Sequence, residues 1–150
     1  MKLPNNILVP TDFGENASHA LDYATALAGK LGARVHLVHA ISVPELGVPE
    51  LGVALASTMI ESLVRNGQNA LDRLVERHPD RACLGEAVLR VGDPRDVVLA
   101  VAGELAIDLI VIGTHGRRGL ARALLGSLAE TVVRAASCPV LTLSERAVRS

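Results

Sequence analysis

Apolar residues gather in five short runs: Ile7 to Val9, Arg34 to Ala40, Glu86 to Arg90, Leu109 to Ile112 and Val140 to Leu143. The first and fourth are continuous rather than alternating, as expected of strands covered on both faces. Between the runs the apolar period lengthens to that of a helix. Ala17, Ala20, Leu21, Ala24, Leu27, Ala28 and Leu31 form one stripe, ended by Gly32. Ile60, Leu63, Val64, Gly67, Leu71 and Leu74 form a second; Val97, Val98, Val101 and Leu105 a third; Leu128, Val132, Ala135 and Ala136 a fourth. Asp93-Pro94 reads as an N-cap followed by proline at the first helical position, and Ser127 to Glu130 has capping-box spacing. Strand and helix therefore alternate. This order predicts an α/β fold: an open doubly wound parallel five-stranded sheet with helices on both faces.

Residues 42–53 break the rhythm. Val43-Pro44-Glu45-Leu46-Gly47 is followed at once by Val48-Pro49-Glu50-Leu51-Gly52, a tandem repeat of five residues. Its two prolines and two glycines predict a loop from the second strand into the second helix. A lid and a tolerated duplication both fit it.

Length and composition narrow the function. The 150 residues suit one domain, 1–150, able to bury a core without staples. Hydrophobic residues make up 49% but aromatics only 1%, so Ala, Val, Leu and Ile must build the core. Few aromatic faces and a net charge of −1 argue against nucleic acid as a partner. Cys83 and Cys138 have no ligand spacing and read as small hydrophobes. No run is long and apolar enough for a membrane span, and no leader pattern opens the chain. The expectation is a cytoplasmic protein that engages neither membrane nor nucleic acid.

The candidate chemistry follows the fourth strand. Gly113-Thr114-His115-Gly116, nine residues, then Gly126-Ser127 gives the spacing G-x-x-G-x9-G-[S/T]. Glycines let backbone amides approach a polyphosphate, with no Cβ in the way and φ > 0 accessible. Gly126 and Ser127 open the fourth helix, where unpaired N–H groups and the helix dipole favour an anion. The plainer reading is a strand-exit turn plus a serine cap, and the two are compatible. Pro10-Thr11-Asp12 follows the first strand. If the strand order is 3-2-1-4-5, the reversal lies between strands one and four, and both loops face one crevice. Asp12 then accepts from ribose hydroxyls or a base edge; its alternative is to cap the first helix.

Ile7 to Phe13, Val91-Gly92-Asp93-Pro94, Ile112 to Gly116, Leu124 to Ser127 and Cys138 to Leu141 together resemble the universal stress proteins, specifically the ATP-binding branch with its glycine motif intact. The resemblance runs in family order over nearly the whole chain. It implies the 3-2-1-4-5 sheet and ATP, with Mg, held between the first and fourth strands. Pro10, Thr11 and Asp12 would line the nucleoside, and the Ala40 backbone would meet adenine. Gly113, Gly116, Gly126, Ser127 and the Leu128 amide would hold ribose and phosphates. Two departures stand out: Gly14 where serine is common, and Ala40 where many members carry a larger aliphatic.

Arg117, Arg118 and Arg122 lie in the spacer. A guanidinium such as that of Arg117 suits a terminal phosphate, and a solvated loop face is the alternative. His115 sits within the motif, while His36 and His39 read as strand packing residues. The leading function is a nucleotide-responsive binding module in the stress response. A slow ATP hydrolase and an interaction module without nucleotide are the rivals. No GxxxxGK[ST] loop and no arranged base or nucleophile is visible, so no catalytic or metal residue is named. The last strand is a brief apolar edge, and the resemblance implies that it pairs with its copy in a homodimer.

Overall fold

A computed structural model describes residues 2–43, 49–115 and 125–148. The strands are β1 (Asn6–Pro10), β2 (Arg34–Ile41), β3 (Leu84–Val91), β4 (Leu109–Gly113) and β5 (Val140–Leu143). They interleave with helices α1 (Glu15–Leu31), α2 (Pro49–Arg77), α3 (Pro94–Glu104), α4 (Ser127–Ala135) and the short α5 (Glu145–Val148). All pairings are parallel, in the order β3-β2-β1-β4-β5. The doubly wound sheet expected from the alternating pattern is present.

Continuous apolar runs serve both faces. On one, Ile7, Val9, Val35, Leu37 and Val111 meet Ala20, Leu21, Ala24 and Ala28 of α1 and Leu71 of α2. On the other, Leu8, Val38, Ile110 and Ile112 meet Val97, Val98 and Val101 of α3 and Ala129 and Val132 of α4. Small alanines on α1 let it lie close to the sheet, which compensates for the scarcity of aromatics. At the amino end of the sheet, the Asp108 carboxylate accepts the N–H groups of Asn5 and Asn6 at 3.0 Å and pins the start of β1.

Helix ends agree with the sequence in part. Asp93 caps α3, accepting the Arg95 N–H at 2.8 Å, with Pro94 at the first helical position. Hydrogen bonds from the Arg95 side chain and backbone hold the Asp93 carboxyl down at about 2. Gly32 closes α1 in the left-handed region, φ 69°. The tandem repeat departs from expectation. Residues 44–48 lie outside the described residues, but Pro49 to Gly52 are helical, the start of a 29-residue α2. Proline at a first helical position loses no hydrogen bond there, and a long helix tolerates one glycine at a cost of about 1 kcal/mol.

Candidate functional site

At the carboxyl ends of β1, β2 and β4 the sheet opens into a cleft of about 450 Å³. This is where the strand order reverses, the usual ligand position in such sheets, and the volume falls in the range of small-molecule sites. Pro10, Thr11, Asp12, Ala40, Gly113, Gly126, Ser127 and Leu128 all line it. Gly116, Arg117, Arg118 and Arg122 lie outside the described residues. The described residues of the two loops singled out in the sequence thus line one cleft.

The β1 wall is built by side-chain hydrogen bonds. Thr11 Oγ1 accepts the Phe13 N–H at 3.1 Å and Asp12 Oδ1 accepts the Gly14 N–H at 2.8 Å. Phe13 lies between them at φ 62°, a left-handed conformation that costs a non-glycine residue about 1 to 2 kcal/mol. The Phe13 ring packs against His39, centroids 4.5 Å apart, which helps to offset that cost. His39 Nδ1 in turn donates to the Thr11 carbonyl at 2.8 Å. Asp12 therefore does not cap α1: the N-cap is Gly14, and Asp12 closes the turn before it.

The β4 wall is made of backbone at close quarters. The Gly126 N–H donates to the Thr114 carbonyl at 2.6 Å, and a Cβ on Gly126 would stand 2.7 Å from that oxygen. Gly126 has φ −58°, so close approach is what demands glycine here, and positive φ is not. A Cβ on Gly113 would meet Asn16 Cβ at 3.0 Å. Asn16 Nδ2 donates to the His115 carbonyl at 2.8 Å and ties α1 to this wall. The expected capping box does not form. Gly126 is the N-cap and Ser127 the first helical residue, while Glu130 pairs with Arg134 at 3.0 Å. The Ser127 hydroxyl has no partner among the described residues, and it lines the cleft at the helix start.

Two residues were missed in the sequence. His39 was read as packing, yet it braces the Thr11 carbonyl; its place beside Ala40 at a strand end was the available signal. Asn16 gave none. His36 does pack, accepting the Glu86 N–H at Nδ1 (2.9 Å) and meeting Asn6 Oδ1 with Nε2 (3.2 Å). Both cysteines are partly buried, and burial pushes both thiols up, as suits unreactive small hydrophobes.

Comparison with known proteins gives this geometry its context. Residues 4–144 match the model of the universal stress protein family. The chain belongs to that family. Universal stress protein MJ0531 of Methanocaldococcus jannaschii is 32% identical over 144 residues, 95% of this chain and 84% of that one. The solved structure of MJ0577, from the same organism, superposes with a TM-score of 0.80 at 27% identity, covering 94% and 96% of the two chains. A universal stress protein solved in complex with cAMP shares the fold at 22% identity, with a TM-score of 0.60 and coverage of 95% and 98%.

Proposed function

We propose that the cleft binds an adenine nucleotide, ATP carried with magnesium, and that the protein is a nucleotide-responsive stress-response module acting in the cytoplasm. One observation carries the reading. The Gly126 backbone abuts Thr114 too closely for any Cβ, and so brings the α4 amino end, with a Ser127 hydroxyl that has no partner among the described residues, into the same cleft as Asp12. These groups suit the two ends of a nucleotide. The Gly113, Ser127 and Leu128 backbone offers donors to phosphate oxygens, and Gly126, whose own N–H is spent on Thr114, leaves them room. Asp12 offers an acceptor to ribose hydroxyls, and Ala40, Pro94 and Val98 give an apolar bed for the base. Gly116 and Arg117 join the phosphate end by family resemblance. Among the described residues no three metal-ligating side chains gather, so the magnesium ion would be held through the phosphates and water. That a protein of this fold was solved with cAMP supports an adenine-bearing ligand. Mass spectrometry of the denatured, freshly purified protein should release an adenine nucleotide, and titration with ATP and magnesium should raise its melting temperature. Neither nucleotide nor shift would overturn the reading.

We also propose a homodimer through β5. The Pro139 and Leu143 carbonyls accept from Ile110 and Thr114. Parallel pairing alternates, so the intervening Val140 and Thr142 turn their backbone groups to the free edge. Thr142→Pro removes an outward N–H and spares the bonds to β4. Light scattering should then report a monomer; an unchanged dimer would place the interface elsewhere.

A further inference from the structure

A second cleft, of about 530 Å³, lies between the first turns of α1 and the last turns of α2. Its apolar lining includes Phe13, Leu21 and Leu74. Its polar lining is dominated by donors. Arg73 and Arg77 stand one turn apart on α2, and neither makes an ion pair among the described residues. His78, just past the helix, is 9% exposed and accepts the Asp80 N–H at Nδ1 (3.1 Å). The neutral ring therefore carries its proton on Nε2. That Nε2 is buried without a hydrogen-bond partner. Asp22 Oδ1, on the exposed rim, lies 3.4 Å away, within ion-pair reach but not aligned for a hydrogen bond.

A buried N–H donor left without an acceptor is costly, and two adjacent unpaired guanidinium groups are suited to a planar oxyanion. We propose that this cleft binds a small organic anion with an apolar body, of the carboxylate or sulfonate class. Arg73, Arg77 and His78 Nε2 take the head group, and Phe13, Leu21 and Leu74 take the body. Asp22 opposes the anion from the rim and weakens it. The nucleotide cleft is a different place: of the described lining residues, the two share only Thr11 and Ala17.

The test is an NMR titration of the full chain with octanoate, which requires no nucleotide and so stands or falls apart from the reading above. Saturable amide shifts are expected at Ser18, Asp22, Arg73, Arg77 and His78, with a dissociation constant in the millimolar range or tighter. The double variant Arg73→Gln, Arg77→Gln should weaken binding by about tenfold, a loss of ~1.4 kcal/mol. Asp22→Asn should tighten it a few-fold. Opposite responses to removing opposite charges distinguish a head-group site from apolar partitioning. All these side chains are at the surface, and a melting curve checks that each variant folds. Shifts that do not saturate, shifts centred on Gly113 and Ser127, or variants that bind octanoate like the parent would overturn the proposal.

Discussion

The strand β2 carries two histidines three residues apart, and their surroundings differ in a way that separates the two ends of the sheet. His36, toward the amino end, has a partner for each ring nitrogen and leaves no room beside it: a Cβ on Gly85 would stand 2.6 Å from its ring. His39, at the carboxyl end, spends Nδ1 on the Thr11 carbonyl, and Nε2 has no partner among the described residues. His115 Nε2 is buried and unpartnered at the same end, where the exposed Ser127 hydroxyl has no partner among the described residues. Folding uses up the polar groups at one end and leaves them available at the other. Buried polar groups normally find partners, so the unspent end is where a ligand belongs.

The largest test of that contrast is Gly126→Val. Its Cβ meets a backbone oxygen at 2.7 Å, so the loop must move and the α4 amino end moves with it. ATP affinity by calorimetry should fall about a hundredfold or more, ~2.7 kcal/mol, with overpacking costing about 1 to 3 kcal/mol of stability in urea melts. Unchanged ATP binding would remove the close-packed wall from the site. The matching change at the closed end is Asp108→Ala, which frees the N–H groups of Asn5 and Asn6. Stability should drop by about 2 kcal/mol while ATP affinity stays the same. A loss of affinity there would mean that the two ends are not independent.

Much of this contrast was legible in the sequence, and the rest was hidden for physical reasons. Continuous apolar runs announced a sheet covered twice, and strand-end glycines marked the open end. The capping box was misread because Ser127 and Glu130 have the right spacing whether the helix starts at Gly126 or Ser127. The backbone decides between them: the Gly126 carbonyl accepts the Glu130 N–H at 2.9 Å, while the distant Thr114 carbonyl holds the Gly126 N–H. The second half of the tandem repeat was assigned to loop because proline and glycine break helices in the middle, whereas Pro49 stands at a beginning. The α1–α2 cleft joins residues more than forty positions apart, such as Leu21 and Arg73, and no local pattern links them.

Asp12→Ala sharpens the comparison within the open end, since it alters a side-chain wall rather than a backbone one. The turn loses the bond to Gly14 and the cleft loses its carboxylate. ATP affinity should weaken by about tenfold, near 1.4 kcal/mol. This is less than for Gly126→Val, because a neighbouring group or water can replace a lost acceptor but not an occupied volume. An equal or larger loss would shift the weight of recognition from the phosphates to the nucleoside.

The smallest expected effect belongs to His36, and it reads the closed end through pH. Burial lowers its pKa from the ordinary 6.5; the nearby Glu86 pulls it up in part, and Arg34 adds to the lowering. The Glu86 N–H donated to Nδ1 also requires a ring that is unprotonated there. The unfolded chain therefore takes up a proton at a higher pH than the folded one. Stability from this group is fully present above 6.5 and is lost as pH falls from there toward the depressed folded value, below which the dependence flattens. Asp93 acts in a separate, more acidic window: its contribution is present above 3.8 and is lost as pH falls through about 2. Urea melts stepped downward from neutral pH should slope in the His36 window, and His36→Gln should flatten that part of the curve even though it lowers the whole. A slope that survives the substitution would mean that His36 is not the closed end's titrating group.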